Sequence, residues 1–366
     1  MRLTVLNVAY PLAPVGPNSV GGAEQVLTHL DAALVCAGHQ SLVIAREGSR
    51  TAGTLLAVPK VEGVLSDETR RWAQHQQRMA IEKALGQWPV DLVHLHGIDF
   101  HEYLPPPGLP VLATLHLPPE WYPAEVFRLP RPGTFLNCVS PAQRRACPPC
   151  AGLLREIENG IPTEALAGHH AKRRFVMALG RICPEKGFHI AMDAATRAGI
   201  PLLLAGKVFA YPSHQRYFEQ EIKPRLGRLH RFLGPLGLER KRRWLSAARC
   251  LLVPSLVPET SSLVAMEALA CGTPVIAFRA GALADIVESG KTGFLVQNEQ
   301  EMSAAITAAG SLDRDACRES ARTRFSLGQM AKQYLEMYEH LAGKKVAAEV
   351  FALGNTPRKE SVSCAP

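Results

Sequence analysis

Two glutamates, Glu259 and Glu267, bracket the stretch PETSSLVAMEALACGTPVIA (258–277). A helix is expected to open at Ser261 or Ser262, since hydroxyl residues favour the N-cap, and to stop at Gly272 ahead of Pro274. Its remaining residues, Leu263, Val264, Ala265, Met266, Ala268, Leu269 and Ala270, are all apolar, so Glu267 has no polar face to share. A helix apolar all round is buried, and a buried carboxylate is costly unless it meets a donor. A pair of ligand hydroxyls would supply one, and the helix N-terminus beside it suits a phosphate.

A second group of residues has matching chemistry. Arg181 and Lys186 lie in GRICPEKG (180–187), between a strand end and a helix start. There they can bracket a diphosphate, Arg as a planar fork and Lys as a point charge. Glu267 would sit about 1.5 Å per residue up its helix from the phosphate end, roughly the reach from a diphosphate to ribose hydroxyls. Glu259 falls on the other side of the phosphates, where a transferred sugar would lie. In the first half, Gly21 and Gly22 close the loop PLAPVGPNSVGG (11–22) just before a helix. They remove side chains where a ligand could approach free amides, although a tight turn needs the same residues.

Other candidates carry weaker signals. His94 and His96 share a strand face in HLHGIDFHE (94–102), and Asp99, His101 and Glu102 could complete a metal set, but ordinary core and loop roles are the expectation. His116 stands alone at the end of a strand, where active-site groups gather. Cys147 and Cys150 have a zinc or redox spacing without a second pair, so no such role is expected, and Asp313 and Asp315 read as a helix start.

The elements that would position these residues alternate from end to end. Apolar runs at 3–10, 41–46, 91–96, 110–116 and 134–140 read as strands, with a helix from Ala23 to Cys36. The pattern restarts with FVMALG, PLLLAG, HRFLG, RCLLVPS, TPVIAF and GFLV. This predicts an α/β chain of two doubly wound parallel sheets whose strand C-termini face a shared cleft. The expected divisions are a first domain over 1–166, a linker at 167–173, a second domain over 174–325, a helix over 326–342 returning toward the first domain, and a weakly ordered tail at 343–366. Segments 11–20, 60–75 and 117–133 read as loops carrying the acceptor surface.

With 366 residues, 47% of them hydrophobic, the chain can build two cores. Nine cysteines without a repeating frame argue against a disulfide scaffold. The start MRLTVLNVAY lacks a signal-peptide pattern and no run reaches the roughly 20 apolar residues of a membrane span, so a cytoplasmic protein is expected. The net charge of +8 concentrates at Lys223, Arg225, Arg228, Arg231 and Arg240–Arg243. Such a patch is either a solvated face or a peripheral contact with anionic membrane. With only Phe232 and Trp244 among these charges, a nucleic-acid stacking platform is not expected.

These motifs together resemble the family 4 glycosyltransferases (glycosyl transferases group 1), retaining enzymes of the GT-B fold with two Rossmann-like domains. The most specific part is VPSLVPETSSLVAMEALACGTPVIAFRAGALADIVESGKTGFLV (253–296), followed by GRICPEKG; GGAE (21–24), DLVHLH, TLH and ENGIP are fainter echoes. The resemblance implies that Glu267 holds the donor ribose and that Arg181 and Lys186 hold the diphosphate. Ser261, Ser262 and Leu263 would add donor contacts. Glu259 and His116 would lie at the transferred sugar, and Gly21 and Gly22 would let the loop close over the phosphates. It further implies a nucleoside diphosphate sugar donor, a hydroxyl acceptor, and neither a metal nor another cofactor. Thr260-Ser261-Ser262 replaces the Gly-Phe-Gly of many relatives, and Ala284-Asp285 replaces their Pro-Glu. A sugar-nucleotide-binding protein without transfer activity, acting in a glycan assembly complex, is the alternative.

Overall fold

The computed structural model describes residues 2–343 apart from Asn18, Glu62, Val64, Leu65 and His169. The expected tail lies, but for Gly343, outside the described residues. In the first half the chain forms β1 (Thr4–Val8), α1 (Gly22–Cys36), β2 (Gln40–Arg46), β3 (Thr54–Val58), α2 (Asp67–Gln87), β4 (Leu92–Leu95), β5 (Val111–Leu115), β6 (Thr134–Cys138), α3 (Pro141–Ala146) and α4 (Thr163–Leu166). The second half adds β7 (Val176–Leu179), α5 (Phe188–Arg197), β8 (Leu202–Ala205), α6 (Pro212–Tyr217), β9 (His230–Phe232), α7 (Leu238–Ala247), β10 (Leu251–Val253) and α8 (Leu263–Ala270). It ends with β11 (Val275–Phe278), α9 (Leu283–Ile286), β12 (Gly293–Val296), α10 (Glu299–Ala308), α11 (Arg314–Arg324) and α12 (Leu327–Gly343).

Both sheets are parallel and have the same winding. The first runs β3-β2-β1-β4-β5-β6 and the second β12-β11-β10-β7-β8-β9. The central strands β1, β4 and β5 are buried along their whole length, which is why apolar residues dominate them, with only Thr4, Asn7, His94 and Thr114 polar. In such sheets the strand order reverses at one place, and the crevice beyond the strand C-termini there is where ligands bind. The reversal falls between β1 and β4 in one domain and between β7 and β10 in the other. The loops leaving these four strands therefore carry Gly21 and Gly22, His96, Arg181 and Lys186, and Glu259.

The strand expectations hold in place, but two elements of the first domain were not foreseen. Residues 67–87 form a helix rather than part of a loop at 60–75, and β3 adds an edge strand. Helix α2 buries only Ala73, Gln77, Ile81 and Ala84, so its apolar stripe is faint. Its local signal is the cap, where the Ser66 hydroxyl accepts from the Thr69 amide and the Thr69 hydroxyl accepts from the Ser66 amide.

The last helix, α12, packs on the first domain. Met330, Tyr334, Met337, Tyr338 and Leu341 join Leu3, Val5, Val26, Leu30, Leu34 and Leu92 in one cluster. The chain crosses between domains at Ile161 and Ser326, side by side, with the Ile161 amide donating to Phe325 O at 2.8 Å and the Leu327 amide donating to Ile161 O at 3.1 Å. Under α12 a polar network is enclosed. His94 Nδ1 lies 2.6 Å from the Tyr338 hydroxyl and Nε2 lies 2.7 Å from Thr114 Oγ1, while Thr114 donates to Asn137 at 2.7 Å. His94 is thus a core residue and not a metal ligand. Asp99 likewise accepts from Tyr103 and Gln74. Cys147 faces Cys138, Sγ to Sγ at 3.4 Å, within the apolar cluster below β6.

Burial holds the imidazoles of His94 and His96 well below their ordinary range, and neighbouring histidines add to the effect. The folded pKa lies below the unfolded one, so the unfolded chain binds the extra protons. Stability is therefore fully present above about pH 6.5 and falls as the pH drops below it. Urea unfolding between pH 7.5 and 5 is expected to show a loss of roughly 1 kcal/mol per pH unit for each such histidine. The double variant His94→Gln, His96→Gln should flatten that slope. A wild-type stability that stays level across this range would contradict the assignment.

Candidate active site

Helix α8 begins at the mouth of the cleft with Ser262 as its N-cap. Ser262 is buried and makes no side-chain cap bond, so the first amides of α8 keep their donors for another partner. Ser261 Oγ is also buried without a hydrogen-bond partner. An unsatisfied buried hydroxyl beside free helix amides is costly unless a further partner meets it. Across the cleft, a Cβ added to Gly22 would lie 3.6 Å from Leu263 Cδ1, which puts the start of α1 directly against the start of α8.

Glu267 is 4% exposed, as its apolar helix requires. Its donor in the structure is Lys241, whose ammonium meets Oε1. Lys241 belongs to the basic run of α7, and its side chain is only 16% exposed. The run is therefore not a uniformly solvated face, since one of its four cations turns inward to neutralise the glutamate. Periodicity alone hid this, because the neighbouring cations Arg240 and Arg243 are exposed. Elsewhere in the basic patch, Lys223 pairs with Glu219 at 2.7 Å and Arg225 with Asp193 at 2.9 Å.

Glu259 is the anchor of the other side. Its Oε1 accepts from Lys186 Nζ at 2.6 Å and also from the Ser255 hydroxyl. The loop after β10 thereby grips the loop after β7, and the Leu256 amide adds a bond to Glu185 O at 2.8 Å. The backbone of Glu259 is pinned by Gly281, where φ is +58° and a Cβ would come within 2.3 Å of Glu259 O. Only glycine fits that approach. Arg181 is exposed on the same loop as Lys186 and lies close enough to Glu24 of the first domain to act on its carboxyl.

His116 is half-buried at the end of β5, with Nε2 3.1 Å from His96 Nδ1. Its carbonyl accepts from the Thr260 hydroxyl at 2.9 Å, which ties it to the residue following Glu259 in the opposite domain. Burial brings the His116 imidazole down to about 4, so it is neutral near pH 7. Thr260, a departure from the family pattern, is thus a bridge between domains. Asp285, another departure, is a second bridge: it accepts from the Ala142 amide at 3.0 Å and pairs with Arg145 at 3.1 Å.

Glu24 is a site residue that the sequence reading did not single out. It is 9% exposed, and its carboxylate folds back over the start of α1, 1.9 Å from where a Cβ on Gly21 would stand. A side chain at Gly21 would displace the Glu24 carboxylate from this position. Burial raises the Glu24 carboxyl above its ordinary range, against a bond from its own amide and the pull of Arg181 across the cleft. The structure thus brings Gly21, Gly22, His116, Arg181, Lys186, Glu259, Ser261, Ser262, Leu263 and Glu267 to the cleft, and adds Glu24, Lys241, Ser255 and Thr260.

Comparison with known proteins gives matches on both halves. Residues 20–164 match the family described as Glycosyltransferase Family 4, and residues 173–310 match Glycosyl transferases group 1. A D-inositol 3-phosphate glycosyltransferase of Streptomyces avermitilis is 36% identical over 235 residues, 60% of this chain and 45% of the relative. A phosphatidyl-myo-inositol mannosyltransferase of Mycobacterium leprae is 28% identical over 215 residues, 52% of this chain and 55% of the relative. The matches span about half the length of these curated relatives. Among solved structures, a glycosyltransferase involved in avilamycin A biosynthesis superposes with a TM-score of 0.70 at 26% identity, over 93% of this chain and 99% of that one. An Anabaena protein solved with UDP-glucose shares the fold, with a TM-score of 0.72 at 19% identity over 93% of this chain and 100% of that one.

Removing Lys241 tests the charge balance at Glu267. Lys241→Met is expected to cost about 3–5 kcal/mol in urea unfolding, because it leaves a buried carboxylate without its cation. Adding Glu267→Gln should return most of that loss. A Lys241→Met variant as stable as the wild type would mean that Glu267 has another donor.

Proposed function

The chain belongs to the family 4 glycosyltransferases of the GT-B fold, and from that premise we propose that it transfers a sugar from a nucleoside diphosphate donor to a hydroxyl acceptor, with retention and without a metal. The observation that carries this reading is the arrangement around α8. Free helix amides, an unsatisfied Ser261 hydroxyl, Arg181, Lys186, buried Glu267 and half-buried Glu259 converge at the strand reversals of both sheets.

Each group has a role in this reading. The ribose hydroxyls bind the Glu267 carboxylate in place of, or beside, Lys241. The amides of Ser262 and Leu263, the Ser261 hydroxyl, Arg181 and Lys186 receive the diphosphate. As the glycosidic bond breaks, negative charge grows on that diphosphate, and donors already fixed in place stabilise it without reorganisation. Gly21 and Gly22 bring the start of α1 close to the same phosphates. The Glu24 carboxylate would turn away as an anion arrives.

The transferred sugar lies between Glu259 and His116. Neutral His116 orients a sugar hydroxyl and adds no positive charge there, while Glu259 accepts from another hydroxyl and keeps Lys186 pointed at the departing phosphate. The acceptor hydroxyl attacks from the same face as the leaving diphosphate and gives up its proton to it. No protein nucleophile is needed.

Substrate classes follow from relatives rather than from geometry. The names of the curated relatives support an inositol-containing or lipid-linked acceptor, hence glycolipid or small-molecule glycoside synthesis. The Anabaena structure with UDP-glucose supports a hexosyl nucleotide as donor. No helix among the described residues is long and apolar enough to cross a membrane. A cytoplasmic enzyme is proposed, with exposed Arg228, Arg231, Arg240 and Arg243 available for contact with an anionic membrane face.

Incubation with UDP-glucose and GDP-mannose, alone and with inositol 3-phosphate or phosphatidylinositol, tests the assignment. Donor turnover is expected, and Glu267→Ala or Lys186→Ala should lower kcat/KM by about 100-fold or more when assayed at a temperature where circular dichroism shows the variant still folded. Full turnover in either variant would sink the assignment. Tight nucleotide binding with neither hydrolysis nor transfer would favour a sugar-nucleotide-binding protein.

A further inference from the structure

The loop after β7 holds a second group of side chains that the transfer reading leaves unused. Cys183, Glu185 and His214 each offer a ligand atom, and these atoms all lie within 4.8 Å of one another. Cys183 and Glu185 belong to the loop of Arg181 and Lys186, whereas His214 comes from α6. His214 is 8% exposed and its Nδ1 is buried without a hydrogen-bond partner. The ring is held between neighbours, edge-on to Tyr211 at 5.1 Å and to Phe209 at 6.3 Å. Cys183 is 1% exposed, and Glu185 opens the cluster to solvent.

A buried polar atom left unpaired calls for a missing partner, and the donor set says which kind. One sulfur, one imidazole nitrogen and one carboxylate oxygen suit a borderline-soft divalent ion of tetrahedral habit. Calcium and magnesium want oxygen alone. We propose that Cys183, Glu185 and His214 bind Zn2+, with a fourth position open to water on the Glu185 side, and that the ion ties the diphosphate loop to α6. Binding expels the Cys183 thiol proton to solvent and leaves a thiolate on the metal; no electron moves.

Arg181 and Lys186 flank the cluster on the same short loop, so a bound ion would fix their backbone and add positive charge beside them. The transfer chemistry above routes no step through this ion, and the site stands or falls independently of it.

Metal-stripped, tag-free full-length protein titrated with Zn2+ against a chromophoric chelator provides the test. One Zn2+ per chain is expected, and Co2+ should give a thiolate-to-cobalt charge-transfer band. Cys183→Ser and His214→Gln should each weaken Zn2+ at least tenfold and abolish the band. Cys147→Ser, in the separate cysteine group below β6, should change neither. Zn2+ should raise the melting temperature of the wild type and of Cys147→Ser only. Absence of Zn2+ binding by the wild type, a band that survives Cys183→Ser, or one that is lost in Cys147→Ser would each overturn the proposal.

Discussion

The ammonium of Lys241 against the carboxylate of Glu267 is the interaction on which the cleft depends. Glu267 lies on a helix with no polar side, so its charge cannot reach water and must be answered from within the fold. Lys241 answers it from α7, and Lys186 does the same for Glu259 from the loop after β7. Two acid and base pairs thus flank the start of α8. Within each pair the protein answers its own charge. In the proposed reading a donor offers hydroxyls to the same carboxylates and phosphates to the same cations and amides, so binding would exchange partners and leave no charge bare.

That exchange needs a rigid frame. The two sheets put their strand reversals opposite each other, and the loops leaving β1, β7 and β10 meet there. Contacts that close the cleft run through Thr260 and the carbonyl of His116, and through Asp285 to the start of α3. Farther out, α12 returns to the first domain and seals the His94 network with Tyr338. Apart from the apolar packing of α12, these contacts are polar and few beside the apolar cores within each domain. They suit an interface that can loosen as substrates come and go.

Much of this was legible in the chain. The apolar strands named their own places because parallel strands buried on both faces lose the polar alternation that would blur them. Glu267 declared itself by being the only charge in an apolar helix. Lys241 did not, because its direction is set by α8, a partner distant in sequence, and nothing in the run Arg240–Arg243 marks which cation turns inward. Helix α2 was missed because it buries one narrow stripe and left only its Ser66 cap as a signal. Thr260 and Asp285 were visible as departures from the family pattern, but their roles as bridges appear only when the second domain meets the first. Glu24 was hidden for the same reason, since its burial comes from the tight turn at Gly21 and the facing domain.

The claim that Glu267 receives the ribose is tested most directly by calorimetric binding of a nucleoside diphosphate and its 2′,3′-dideoxy analogue to the wild type and to Glu267→Gln. Loss of the ribose hydroxyls is expected to weaken binding to the wild type at least tenfold, about 1.4 kcal/mol, and to make much less difference in the variant. Equal affinities for the two nucleotides in the wild type would contradict the account.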